Sequence, residues 1–119
     1  MKDVLLVDDE TVFLSSLADG LTSIGFGISN VIMTNNGKKA IEILKTVAVD
    51  VVVTDLRMPV MDGYAILEYL REKLPNTPVI VMTAFSREDV EGRLKNLRID
   101  HIAEKPLDFR GIASRILMT

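Results

Sequence analysis

At 119 residues, 48% of them hydrophobic and 26% charged, the chain is long enough for one buried core and too short for two, so residues 1–119 are read as a single domain. A net charge of −3, no basic run and only 5% aromatic residues argue against a nucleic-acid surface, which needs clustered cations and stacking rings. With no cysteine and one histidine, His101, thiol chemistry, disulfides and zinc sites built on Cys or His drop out.

No apolar run approaches the roughly 18 residues of a membrane span, and the start is too short for a signal peptide. The expected location is the cytoplasm.

Taken in order, Val4-Leu5-Leu6-Val7 is a buried strand that ends in Asp8-Asp9-Glu10. A helix follows, with Phe13, Leu17, Leu21 and Ile24 at helical spacing and Gly25 and Gly27 marking its end. Val31-Ile32-Met33 is a second short strand, closed by Asn35-Asn36-Gly37. The next helix carries Ala40, Ile41, Leu44 and Val47 on one face. Val51-Val52-Val53-Thr54-Asp55 is the central strand, stopped by Pro59, with Asp62-Gly63 read as a turn before a helix with Ile66, Leu67, Leu70 and Leu74.

Pro75-Asn76-Thr77-Pro78 is a turn cluster, and Val79-Ile80-Val81-Met82 a fourth strand ending at Thr83-Ala84. Ser86 and Asp89 have capping-box spacing ahead of a thinly apolar helix with Val90, Leu94 and Leu97. A fifth strand spans Ile99 to Ala103, with His101 expected to be exposed, and runs into Glu104-Lys105-Pro106. The last helix presents Phe109, Ile112, Ala113, Ile116 and Leu117. Five strands alternating with five helices predict an α/β fold, a doubly wound parallel sheet covered on both faces.

Runs of β-branched residues such as Val51–Val53 suit strands buried on both faces. In such sheets ligands sit outside the carboxyl ends of the strands, where this chain places Asp8, Asp9, Asp55, Thr83 and Lys105. Neighbouring carboxylates repel and are costly to desolvate unless a cation joins them. A hard divalent ion does so, and Mg²⁺ binds through one or two carboxylates plus phosphoryl oxygens. A carboxylate can also be a nucleophile and hold a phosphoryl group as an acyl phosphate. Capping of the first helix by Asp8 and Asp9 is the bland alternative, and it leaves Asp55 unexplained.

Four stretches carry a resemblance along the full length of the chain: Val7-Asp8-Asp9-Glu10, the run from Thr54 through Asp55-Leu56-Arg57-Met58-Pro59 to Asp62-Gly63, Val81-Met82-Thr83-Ala84, and Glu104-Lys105-Pro106-Leu107. The sequence resembles the receiver domain of bacterial two-component response regulators. The resemblance implies a flavodoxin-like sheet of order 2-1-3-4-5 and a phosphoacceptor at Asp55. It implies Mg²⁺ (or Mn²⁺) on Asp9, Asp55 and the backbone carbonyl of Arg57, with Asp8 acting through water. Thr83 is the hydroxyl that approaches the phosphoryl group, Lys105 the ammonium, and the Lys105–Pro106 bond is expected to be cis.

The implied donor is a sensor histidine kinase or phosphotransfer protein. The implied output is a partner or homodimer surface around the fourth helix, fifth strand and fifth helix. No direct nucleic-acid binding, no membrane contact and no turnover of an external substrate are expected. Arg57 and Phe85 stand where side chains screen the acyl phosphate, and bulky Phe85 is expected to exclude water. Two departures stand out. Ile102 occupies the usual position of a switching aromatic, and Arg98-Ile99 replaces a segment that is often Gly-Ala. The rivals are a haloacid-dehalogenase-type phosphatase, which needs an acid where Arg57 stands, and a receiver-like module that binds without phosphorylation.

Overall fold

The computed structural model describes residues 2–24, 27–56, 58, 62–84, 87–105 and 108–119; the side chains of Ile24 and of residues 87–90 lie outside that description. The elements are β1 (Lys2–Val7), α1 (Thr11–Ile24), β2 (Ile28–Thr34), α2 (Gly37–Thr46), β3 (Val51–Asp55), α3 (Gly63–Lys73), β4 (Val79–Thr83), α4 (Arg87–Leu94), β5 (His101–Glu104) and α5 (Phe109–Met118). All strand pairs are parallel, in the order β2-β1-β3-β4-β5. The parallel sheet is the one anticipated from the alternation of elements, and its strand order is the one the family resemblance implied.

The alternation of side chains along each strand divides the core in two. Val4, Leu6, Val53 and Met82 pack with Leu17 and Ile116 beneath α1 and α5. Leu5, Val52 and Val81 pack with Leu44, Leu67 and Leu94 on the opposite face. β3 and β4 are buried at every position, which is why they read as unbroken apolar runs. Each such side chain, fully buried, contributes on the order of 1.5–3 kcal/mol.

Several boundaries differ from the sequence expectations. β2 starts at Ile28, three residues early; it is an edge strand, and Met33 stays 47% exposed. α2 ends at Thr46, so Val47 caps it in extended backbone and leaves the apolar face. On α1 the buried stripe is Leu14, Leu17, Ala18 and Leu21, while Phe13 is half-buried. β5 starts at His101 because Arg98 has φ 50, a left-handed conformation that breaks the extended run. His101 is half-buried instead of exposed, since β5 is paired with β4 through Ile80↔His101.

Helix entry is chemically specified. Asn36 accepts from the Lys39 amide at 2.8 Å, Asp62 from Ala65 at 3.2 Å and Asp108 from Arg110 at 3.1 Å, each side chain satisfying an amide that the helix cannot. Ser86 lies outside the described residues, as does the Asp89 side chain. Among the described side chains of α4 Leu94 alone is buried, and Leu97 follows after the helix has ended.

Candidate functional site

The parallel register brings the strand ends together. Val7 of β1 pairs with Thr34 of β2 and with Thr54 of β3, so Asp8 emerges beside Asp55. The Asp8 amide donates to the Thr34 carbonyl at 3.2 Å, and the Lys105 amide to the Thr83 carbonyl at 2.7 Å. Backbone pairing therefore delivers acids and ammonium to one pole. Asp8 is fully buried, Asp55 is 8% exposed and Thr83 2% exposed, whereas Asp9 is exposed.

The Lys105 Nζ lies 2.9 Å from Asp8 Oδ2 and 3.1 Å from Asp55 Oδ2, and 3.8 Å from Glu10 Oε1. The other oxygens are committed to backbone. Asp55 Oδ1 accepts from the Leu56 amide at 2.7 Å and Asp8 Oδ1 from the Glu10 amide at 3.0 Å. The latter contact falls just ahead of α1, on the residue before its first helical one, so it orders the entry to the helix without capping a helical amide, and it coexists with the site. One oxygen each of Asp8, Asp9 and Asp55 falls within a 4.8 Å cluster. Three carboxylates facing one ammonium leave an excess of negative charge carried by hard oxygen donors. That donor set fits Mg²⁺ or Mn²⁺.

Burial raises the Asp55 carboxyl above its ordinary value; Lys105 opposes the shift, and the Asp8 charge reinforces it. Burial pulls Lys105 down, but its hydrogen bond to Asp8 and the charges of Asp55 and Asp8 outweigh this and hold it above the usual lysine value. The same contact thus favours both ions; Asp55 rises because a second acid adds to its desolvation, while Lys105 has two acids to itself. Raised above its unfolded value of 3.8, the Asp55 carboxyl contributes stability below that pH, which is lost as pH rises through the folded value. In metal-free buffer Asp55→Asn is expected to be the more stable protein at neutral pH, by on the order of 1 kcal/mol. Urea titrations at pH 4 to 8 check this, since the gain should shrink on acidification; a gain that is flat with pH would overturn the assignment.

Sequence reasoning missed two neighbours of Lys105. Its Nζ sits 4.7 Å from the centroid of the Phe13 ring, and Glu10 adds a third acid. Phe13 was legible only as an apolar helix residue, because its contact joins α1 to the end of β5. Gly63 is not a turn residue of unusual backbone: it opens α3 and is required by close approach to the Asp55 carbonyl. Tyr64 is buried, as a packing residue should be, and also carries the Arg93 guanidinium 3.5 Å from its ring centroid. Ile102 is half-buried and packs into the α2–α3–α4 side of the core. Arg57, Phe85 and Pro106 lie outside the described residues, and with them the expected metal-binding carbonyl, the water shield and the cis bond.

A model of the response regulator receiver domain matches residues 4–117. The transcriptional regulatory protein ZraR of Escherichia coli K12 is 35% identical over 115 residues, covering 96% of this chain and 25% of its own length. QseB of E. coli O157:H7 is 33% identical, covering 95% of this chain and half of its own. The chain thus spans a quarter to a half of these curated relatives.

Among solved structures, a Francisella response regulator receiver domain superposes with a TM-score of 0.88 at 29% identity, covering 99% of this chain and 95% of that one. TrrA of Thermotoga maritima, solved in complex with Mg²⁺ and BeF, gives 0.85 at 25% identity, covering 98% and 96%. Among the described residues no helix is long and apolar enough to cross a membrane. By motif, sheet order and acid pole alike, the chain belongs to the response regulator receiver domain family of two-component systems.

Proposed function

We propose that Asp55 is a phosphoacceptor, charged by the phosphohistidine of a sensor histidine kinase or phosphotransfer protein, and that residues 1–119 act as a switch without turning over an external substrate. The observation that carries this reading is the Lys105 ammonium bridging Asp8 and Asp55 at 2.9 and 3.1 Å beside the cluster that includes Asp9. A lone pair on an Asp55 carboxylate oxygen forms the new O–P bond as the donor's N–P bond breaks, and that electron pair returns to the imidazole, which takes up a proton. Lys105 offers N–H donors to a phosphoryl oxygen and Thr83 its hydroxyl, so that charge developing on the group is met by fixed donors. Asp9, Asp55 and the Arg57 carbonyl would hold Mg²⁺, with Asp8 through water. When bound, the ion neutralises phosphoryl charge. Burial at the strand ends keeps bulk water from the Asp55 side chain, and Phe85 is assigned the same task.

The readout surface is assigned to α4, β5 and α5, where a partner or a second copy would dock. Support comes from α4, where Leu94 is the one buried side chain among those described, and few buried contacts make a segment inexpensive to shift. Ile102 favours a second reading, binding without phosphorylation, because an aliphatic side chain in the core cannot swing a polar tip towards Thr83.

Beryllofluoride, an acyl-phosphate mimic on carboxylates, separates these readings when titrated with Mg²⁺ under amide NMR. Saturable, Mg²⁺-dependent shifts at Thr83, Lys105 and α4, absent in Asp55→Asn, are expected. Shifts confined to the acid pole would remove the α4 output. No response would sink phosphoacceptance and leave the binding module.

A further inference from the structure

The pole of the sheet opposite Asp55, where β4 begins, holds a second charged pocket. Arg71 of α3 and Arg98 of the loop before β5 line a cavity of about 180 Å³ together with Pro75, Asn76, Thr77 and Asp100. A water takes up roughly 30 Å³, so the space admits a small polyatomic ion. Arg71 is immobilised by two backbone carbonyls, Nη1 donating to Pro75 at 2.7 Å and Nη2 to Thr77 at 3.1 Å. Its Nε is buried with no hydrogen-bond partner, which is costly for a charged group.

The one acid of the pocket does not resolve this. Asp100 is pinned, its Oδ1 accepting from the Val79 amide at 2.9 Å and its own amide donating to the Val79 carbonyl at 3.0 Å. Neither arginine forms an ion pair with Asp100. Burial, and then the Arg98 charge, press the Arg71 guanidinium below its ordinary value, with Asp100 opposing.

Arg98 is also the one non-glycine among the described residues with positive φ, a conformation that crowds the Cβ of an L-residue against its own backbone. A glycine would take it without that crowding. The chain instead holds a cation there, beside another cation, around open space.

We propose that this cavity binds a small oxyanion, its phosphate or carboxylate group held between the guanidinium groups of Arg71 and Arg98. Guanidinium N–H groups make charge-assisted hydrogen bonds to such oxygens, Arg71 through the Nη hydrogens not given to Pro75 and Thr77, and net positive charge in a partly enclosed pocket attracts them. The site stands apart from the acid pole and does not depend on phosphoacceptance by Asp55.

The test is amide and arginine Nε NMR in metal-free buffer at constant ionic strength, titrating inorganic phosphate against chloride, with succinate as a carboxylate arm. Saturable shifts are expected at Asn76, Thr77, Arg98 and Asp100 while Thr83 and Lys105 stay still. Arg98→Gln should weaken binding at least tenfold. Arg98→Gly relieves the backbone and keeps the melting temperature equal or higher, yet should lose the response. The ratio of phosphate to succinate affinity identifies which oxyanion the site takes. Non-saturable shifts, shifts at Thr83 and Lys105 instead, or binding unchanged in Arg98→Gln would each overturn the proposal.

Discussion

Gly63→Ala is expected to lower stability by about 4 kcal/mol or more, an exceptional loss for one methyl group. A Cβ at residue 63 would stand 2.0 Å from the Asp55 carbonyl oxygen, 2.8 Å from Leu56 Cα and 3.0 Å from the Asp55 carbonyl carbon. All three are backbone atoms, so no rotamer change relieves the overlap. The approach is itself held by a hydrogen bond, the Gly63 amide donating to the Leu56 carbonyl at 2.9 Å, with Asp62 capping α3 just before it. At an ordinary helix position the same exchange would stabilise by roughly 0.5–1 kcal/mol, so the sign of the effect isolates the close approach.

Set against the 5–15 kcal/mol typical of a domain, the loss leaves little margin. Two of the three atoms belong to Asp55 itself, so variant protein that does fold should also bind Mg²⁺ more weakly. Urea denaturation checks the first expectation, and an unchanged midpoint would show that the loop yields freely. Calorimetric Mg²⁺ titration checks the second.

Lys105→Gln is expected to cost about 3 kcal/mol in metal-free buffer, the scale seen when one partner of a buried ion pair is removed. The side chains concerned are 15% exposed for Lys105, 12% for Asp55 and 0% for Asp8. Without the ammonium, two buried carboxylates face each other with no cation between them. Two consequences distinguish this account from a packing defect. Mg²⁺ should raise the melting temperature of Lys105→Gln more than that of the wild type, because the ion replaces the missing charge and binding to the folded state stabilises it by mass action. Adding Asp55→Asn should restore part of the loss, a non-additivity expected for residues in contact.

The pH dependence follows from Lys105 being raised above 10.5. Its contribution is present below that value and is lost as pH rises through the folded one, so the gap between wild type and variant should close in alkali, and it should also narrow in acid as the raised Asp55 carboxyl takes up its proton. Equal responses to Mg²⁺ would exclude the charge-balance account.

Much of this protein was determined by the sequence alone. Strands such as Val51–Asp55 and Val79–Thr83, buried on both faces, announce themselves as unbroken apolar runs. The short loops between them admit few topologies, so the parallel sheet and the pole carrying Asp8, Asp55 and Lys105 were legible from local pattern, and the strand order from the family resemblance of the motifs. Boundaries were less so wherever a residue is half in contact. Met33 on the edge strand and Val47 past the end of α2 are apolar yet exposed, because neither has a layer above it.

Only the tertiary structure decided the contacts between residues far apart in the chain. The position of Lys105 between two acids and beneath the Phe13 ring depends on β5 lying next to β4 and on α1 crossing the same pole. Gly63 looked like a turn residue, since sequence carries no record of a carbonyl 2.0 Å from a Cβ that is not there. The pairing of Arg71 with Arg98 around one cavity was invisible for the same reason. Periodicity reports which side chains leave water; which charges then meet is set by the packing of elements remote in sequence.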